Sequence, residues 1–305
     1  MPDVSIVVVN YNQRDYTAQC IDSILATPPN ASYEIDLVDN ASSDGSADWL
    51  AERYPGVKLI RSKVNGGIAG GNNLGIRAGS GKYVLLLNND TIVLPGSIDR
   101  VVGFLNEHPE AGGVGGQLLN PDGSFQSSYF DFASLGQVFV ITTKLGSLLR
   151  PFYPSYGPTP DPLEVSWLST AFMLFRRDAL EGVGLVDERF FIYSDEPDLQ
   201  YRLRKAGWKI YYLPEVKTIH FGGKSLTPWR RRRLVYRGYL LFFAKHRGQV
   251  QNLTLRGLFA LASLTKLAAW SAAFAAPGWQ QRARKELGSN KRIFVMSIRP
   301  GIEAP

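Results

Sequence analysis

Asp195, Glu196 and Asp198 place three carboxylates within four residues, in the run Ser194-Asp195-Glu196-Pro197-Asp198. A carboxylate so placed can act as a general base toward a hydroxyl. Acids and an early Pro equally suit a helix N-terminus, where the macrodipole favours negative charge. Two further polar sets, Asp39-Asn40 and Asn88-Asn89-Asp90, each follow an apolar run. Asp at such a position can accept hydrogen bonds from a base or ribose, and Asp flanked by amides can ligate a hard divalent cation. Asp and Asn are also ordinary turn residues. His220 is one of three histidines and neighbours Gly222-Gly223; a neutral imidazole there is either a metal ligand or a structural group. Asn65 through Gly75 is glycine-rich but holds neither G-x-G-x-x-G nor a closing Gly-Lys-Ser/Thr, so it is no dinucleotide fingerprint and no Walker A. Its glycines permit close approach of backbone to a ligand.

The elements that must position these groups alternate in type. Val4 to Val9 is a β-branched run, as in a strand covered on both faces. Tyr16, Cys20 and Ile24 recur at helical spacing. Strands are predicted at Glu34–Val38, Val57–Ile60 and Tyr83–Leu87, with a helix over Ser46–Arg53. This alternation implies α/β architecture with a mostly parallel sheet, whose ligands bind beyond the strand carboxyl ends. Pro151, Pro154, Pro158, Pro160 and Pro162 predict a loop or lid. Trp167 to Phe175 resumes an apolar run. Asp198–Ala206 reads as a helix stopped by Gly207, and Lys209–Leu213 as a strand followed by a short connection to His220.

The charge is divided. Residues 1–223 carry 18 Lys and Arg against 25 acids, a balance of −7, whereas residues 224–305 carry 16 against 2, a balance of +14. A polyanionic surface is the natural partner for such a tail. Arg230 to Arg233 open it, Tyr236, Tyr239, Phe242 and Phe243 follow, and the apolar stretch Gly257–Ala276 comes later, with Lys266 inside it. Basic residues with aromatics and apolar area favour an anionic membrane surface over a nucleic acid. The Lys and the many Ala and Ser make the stretch a weak spanning candidate. Met1-Pro2-Asp3 and a six-residue apolar run do not read as a secretory signal. The single cysteine, Cys20, excludes an intramolecular disulfide and fits a reducing compartment. Composition excludes low-complexity, collagen-like and wholly disordered chains.

In order along the chain, Asn10-Tyr11-Asn12, Val38 through Ser46, Asn65 through Gly75, Leu86 through Asp90, Phe190 through Glu196, Leu199 through Trp208 and His220 through Ser225 resemble glycosyltransferase family 2, with its GT-A fold. The likeness runs over roughly residues 3–245 and is nearest the bacterial rhamnosyltransferase-like branch, which often ends in a basic, apolar C-terminal region. It implies a GT-A domain over 1–223, with a nucleotide-sugar half to about 110 and an acceptor half from about 111, then a basic helical membrane-association region over 224–305. Tyr11 and Asp39 fall where the family contacts the base, and Asn72 where it contacts the nucleotide or diphosphate. Asn65, Asn88 and Trp167 join the implied substrate contacts. Asp90 takes the last position of the D-x-D metal motif and His220 the later metal-binding His. Glu196 takes the place of the catalytic base, with Asp195 in support. Two positions depart from the family pattern: the D-x-D site has one carboxylate, and Thr170 stands where Gly is frequent.

The resemblance implies metal-dependent inverting transfer, with Mg²⁺ or Mn²⁺ as cofactor. Glu196, its pKa expected to be lowered by the helix N-terminus, would deprotonate an acceptor hydroxyl. The implied donor is a nucleoside-diphosphate sugar, dTDP-rhamnose foremost, and the acceptor a glycan or polyprenyl-diphosphate-linked intermediate. The implied location is the inner face of the cytoplasmic membrane, bound peripherally from the cytoplasm, with homo-oligomers open and no nucleic-acid partner. A non-catalytic membrane-associated nucleotide-sugar binder and a nucleotidyltransferase are the alternatives.

Overall fold

The computed structural model describes residues 1–143, 156–222 and 227–299. Within them the chain forms two compact units. The first comprises Met1–Phe132, Tyr156–Phe191 and Asp195–Gly222. It opens with β1 (Val4–Asn10), α1 (Arg14–Ala26), β2 (Tyr33–Asp39), α2 (Ser46–Arg53), β3 (Lys58–Arg61), α3 (Gly67–Ala78) and β4 (Tyr83–Asn88). β1 pairs in parallel with both β2 and β4, and β2 with β3, so this half is parallel as the sequence alternation implies. β1 is buried along its whole length. Ile6 and Val8 share one core with Ile21 and Ile24 of α1, while Val7 faces the other core with Ile76 of α3, the alternation that a strand requires when helices cover both faces.

Beyond β4 the sheet becomes mixed. β5 (Thr91–Val93), α4 (Ser97–Glu107) and β6 (Ala111–Leu119) lead to the short strands β7 (Phe125–Gln126) and β8 (Tyr129–Phe130). The helix α5 (Leu135–Thr143) comes next in the chain. Residues 156–162 carry no helix or strand; Pro151 and Pro154 of the expected loop lie outside the described residues. β9 (Leu163–Glu164), β10 (Trp167–Leu168), β11 (Phe172–Arg176), α6 (Arg177–Val183), a turn of 3₁₀ helix (Glu188–Phe190), α7 (Asp195–Lys205) and β12 (Lys209–His220) follow. The strand order is β3-β2-β1-β4-β11-β6-β12-β5, with β11 antiparallel to β4 and β6.

One expectation is corrected. His220 ends β12 instead of lying in a connection after a shorter strand. Pro214 falls within the register break between Leu213 and Lys217, where a residue without an N–H is tolerated. Two glycines of the Asn65–Gly75 run serve packing: a Cβ on Gly71 or Gly75 of α3 would stand 2.6 or 2.3 Å from Val9 or Val7. These glycines bring α3 down onto β1.

The second unit takes in the described parts of Ala133–Ser155, Ile192–Ser194 and Gly223–Pro305. It is built on α5, α8 (Pro228–His246), α9 (Gly248–Phe274) and α10 (Gln280–Ile298). Thr227 caps α8, accepting from Arg230 N, with Pro228 in the first turn. Tyr236, Phe242 and Phe243 are buried, and Tyr236 packs on Phe259 with ring centroids 4.4 Å apart. These aromatics therefore form the unit's core, not an outward interface. Leu255, Leu258, Leu261, Leu264 and Leu267 recur every three residues along α9 and sweep its circumference, from Leu255, fully buried, to Leu261, 62% exposed.

Candidate functional site

Asp195 and Glu196 open α7. The preceding Phe191, Tyr193 and Ser194 have φ of 54°, 65° and 66°, a region that bulky residues occupy at a cost and that clusters near functional sites. Glu196 Oε1 accepts from Thr170 N at 2.7 Å, Thr170 Oγ1 at 3.0 Å and Ser169 Oγ at 3.3 Å. One turn along α7, the Gln200 side chain bonds both Leu168 N and Leu168 O at 2.7 Å. That clamp fixes β10 in register, so the next two residues meet Glu196. Asp198 holds Arg202 at 2.9 Å and so stabilises the helix, as the N-terminal pattern allowed. Thr170, where the family often carries Gly, thus contributes two of the three bonds to the acid.

Burial raises the pKa of both acids. In Asp195 the neighbouring Glu196 charge adds to desolvation. In Glu196, desolvation outweighs the bonds from Thr170 and Ser169 and the attraction of His220. The expected lowering by the helix N-terminus is therefore reversed. Glu196 has the more bonds to its charged form, and the two acids titrate as one coupled pair whose members are both held above the ordinary carboxylate range.

The strand ends are joined by a buried polar network centred on Asn10. Its Nδ2 donates to Asp39 Oδ1 at 3.1 Å, Ser42 Oγ at 3.1 Å and Ser46 Oγ at 2.8 Å. Its Oδ1 accepts from Thr17 Oγ1 at 2.9 Å, and Thr17 in turn accepts from Asn89. Asp39 Oδ2 accepts from Ser42 N at 3.2 Å. Asn40 Nδ2 donates to Asn65 Oδ1 at 3.1 Å and to Gly67 O at 2.9 Å, tying the end of β2 to the start of α3. Tyr11 stands exposed beyond β1, whereas Asn72 is buried on α3. Its neighbour Asn73 bonds Val186 and Glu188 and is structural.

Asp90 and His220 come together as a pair: Asp90 Oδ1 lies 3.3 Å from His220 Nε2, which is also 3.4 Å from Asn88 Nδ2. Gln126 sets the imidazole. Its amide nitrogen donates to Asn120 Oδ1 and His220 O, leaving Oε1 to accept from His220 Nδ1 at 2.6 Å. The neutral ring then carries its proton on Nδ1 and turns the Nε2 lone pair toward the Asp90 carboxylate. Two lone-pair donors this close fit a shared cation. Among the described residues no three His, Cys, Asp or Glu side chains cluster for a metal. The residues present fit a hard cation such as Mg²⁺ or Mn²⁺ only with further oxygen ligands from outside the pair.

Trp167 lies apart from these networks. It stacks on Phe130 at 4.5 Å and donates Nε1–H to Asp131 O at 3.0 Å. Gly222 is described, but Gly223-Lys224-Ser225 of the expected motif lie outside the described residues. Of Asn10, Thr17, Gln126, Ser169 and Gln200, which carry much of the geometry, four had no sequence signal of their own. Only Asn10 offered one, as a polar residue ending an otherwise apolar run.

Comparison with known proteins follows the same line. A family model described as "Glycosyl transferase family 2" matches residues 5–184. The chain is 32% identical over 291 residues to N-acetylglucosaminyl-diphospho-decaprenol L-rhamnosyltransferase of Mycobacterium tuberculosis (strain ATCC 25618 / H37Rv), covering 86% of this chain and 92% of the relative. It is 29% identical to the O-antigen biosynthesis protein RfbC of Myxococcus xanthus, over 73% of this chain and 18% of that one. The solved mannosyltransferase of Pyrobaculum calidifontis, in complex with GDP-Man and Mn²⁺, matches with a TM-score of 0.60 at 17% identity, covering 98% of this chain and 88% of that one. At that identity the likeness is one of fold, and the fold is the GT-A architecture implied by the motifs.

Proposed function

The chain belongs to glycosyl transferase family 2, and on that premise we propose that it is an inverting glycosyltransferase moving rhamnose from dTDP-rhamnose to a hydroxyl of a polyprenyl-diphosphate-linked glycan. The choice of sugar and acceptor is supported by the relative that covers 92% of its own length here, whose name specifies both a rhamnosyl group and a diphospho-decaprenol acceptor. The observation that carries the reaction type is the Glu196 carboxylate, anchored through Oε1 by Thr170 and Ser169.

In this reading Glu196 Oε2 takes the proton from the acceptor hydroxyl as the oxygen attacks the anomeric carbon opposite the nucleotide. The raised pKa of the pair strengthens the base once ionised, and Asp195 is its neighbour in support. Asp39 and Tyr11 contact the base, Asn65, Asn72 and Asn88 the nucleotide side, and Trp167 the acceptor side. Asp90 and His220 would hold a divalent cation, which would supply Lewis-acid stabilisation of a departing diphosphate. Residues 1–223 act as the catalytic domain. Residues 224–305 attach the enzyme peripherally to the cytoplasmic face of an anionic membrane.

The test is a donor screen with purified full-length protein, Mn²⁺ and a polyprenyl-diphosphate-linked acceptor. Acceptor-dependent release of dTDP with formation of a rhamnosylated lipid is expected. Binding without turnover of any donor would leave a nucleotide-sugar binder, and diphosphate release would indicate nucleotidyl transfer.

A further inference from the structure

The helical unit contains a groove that the transfer chemistry does not use. It runs between α5 and α9 and has a volume of about 470 Å³, within the roughly 300–1,000 Å³ of ordinary ligand clefts. Val138 and Phe259 form a buried apolar floor, and Phe139 and Leu261, 39% and 62% exposed, form the rim. Lys266 lines the groove and donates to Thr142 O at 3.1 Å, so one positive charge sits beside an apolar wall.

The surroundings decide what fits. The α9 helix has 27 residues, and only 11% of its most apolar window is buried, an exposed apolar area that marks an interaction surface. The tail around it carries 16 basic residues against 2 acids. A second copy of the chain would bring the same excess of positive charge and be repelled. A hydrocarbon chain ending in phosphate complements both properties, apolar along its length and anionic at its head.

We propose that the α5–α9 groove binds the isoprenoid chain of the polyprenyl-diphosphate-linked acceptor, with Lys266 at its charged rim, an inference that rests on the acceptor reading above. The groove thus recognises the lipid carrier, and α7 the sugar hydroxyl.

The experiment uses full-length protein irradiated with a photoreactive polyprenyl phosphate in detergent micelles, followed by peptide mapping. Label is expected on Leu135–Thr143 and on α9 between Leu258 and Ala269. Ala262→Trp fills the groove and should reduce labelling roughly tenfold, the effect of losing about two buried methylenes. Val250→Trp adds the same bulk at a site 78% exposed outside the groove and should leave labelling intact. Phosphatidylglycerol in excess should compete poorly. Label elsewhere, indifference to Ala262→Trp in a protein of unchanged circular dichroism, or competition by phosphatidylglycerol equal to that by polyprenyl phosphate overturns the proposal. dTDP release in parallel samples given dTDP-rhamnose, Mn²⁺ and a polyprenyl-diphosphate-linked glycan reads the glycosyltransferase function separately. Turnover without groove labelling sinks the groove alone, and groove labelling without turnover sinks the acceptor reading alone.

Discussion

The helices α7 and α9 treat polar and apolar groups in opposite ways. The first buries ionisable groups: Asp195 and Asp198 are enclosed at its start, and each charge or proton is matched by a named partner or by a pKa shift. The second leaves apolar side chains in the open, with Leu253, Leu261 and Leu264 all largely exposed. Buried carboxylates cost folding energy unless bonded, and exposed leucines forgo burial of about 25 cal/mol per Å². Each departure from ordinary packing is where the proposed roles fall: general base at α7, lipid contact at α9.

The sharpest way to break this contrast is Glu196→Gln. Transfer should fall by about 10²–10⁴-fold, the usual contribution of general-base catalysis, while donor affinity measured by calorimetry stays unchanged. A kcat near wild type would reduce the α7 acids to helix-capping groups. Asp90→Ala comes next. The cation-dependent part of nucleoside-diphosphate affinity should vanish, since Asn88 and Asn89 offer no replacement charge; affinity that still rises with Mn²⁺ would make Asp90 a turn residue.

On the helical side, replacing Arg230 to Arg233 by Gln should weaken co-sedimentation with anionic liposomes and flatten its salt dependence. Each basic residue at a leaflet contributes roughly 1 kcal/mol. Arg232 is already paired with Glu286 at 2.8 Å, so the loss should fall short of four full contributions. Full-length protein that ignores anionic liposomes at low salt would remove the membrane from the comparison.

The smallest effect concerns a buried carboxylate outside the proposed site. Asp36 on β2 is fully enclosed, Lys58 Nζ is 3.7 Å away, and burial pushes its pKa up to about 6. Because the folded-state value lies above the ordinary one, its contribution to stability is full below about pH 4 and is lost as the pH rises through about 6. Asp36→Asn should therefore raise stability at pH 8 by up to about 3 kcal/mol, read as a higher thermal midpoint, and the advantage should fade by pH 4. An equal gain at both pH values would mean that charge burial is not the cause.

Much of the parallel half was legible because its signals are local. A run such as Val4 to Val9 buries on both faces whatever its neighbours are, and the expected strands agree with β1, β2, β3 and β4 to within a residue or two. β6 was not legible: Ala111-Gly112-Gly113-Val114-Gly115-Gly116 lacks the side chains that mark a strand. Its glycines answer to contacts from other strands, since a Cβ on Gly115 would stand 2.8 Å from Phe172 O and one on Gly116 2.4 Å from Val216 O.

By itself, the sequence determined the alternating α/β order, the polar groups at the strand ends, the acids at Asp195 and Glu196, and the basic tail, because residue type and spacing act over a few positions. Only the tertiary structure decided that Gln126 orients His220 across 94 residues, that Gln200 and Thr170 anchor Glu196, and that burial raises the pKa of Glu196 against its helix N-terminus. Those outcomes depend on which distant groups exclude water and donate hydrogen bonds, and no local spacing encodes that.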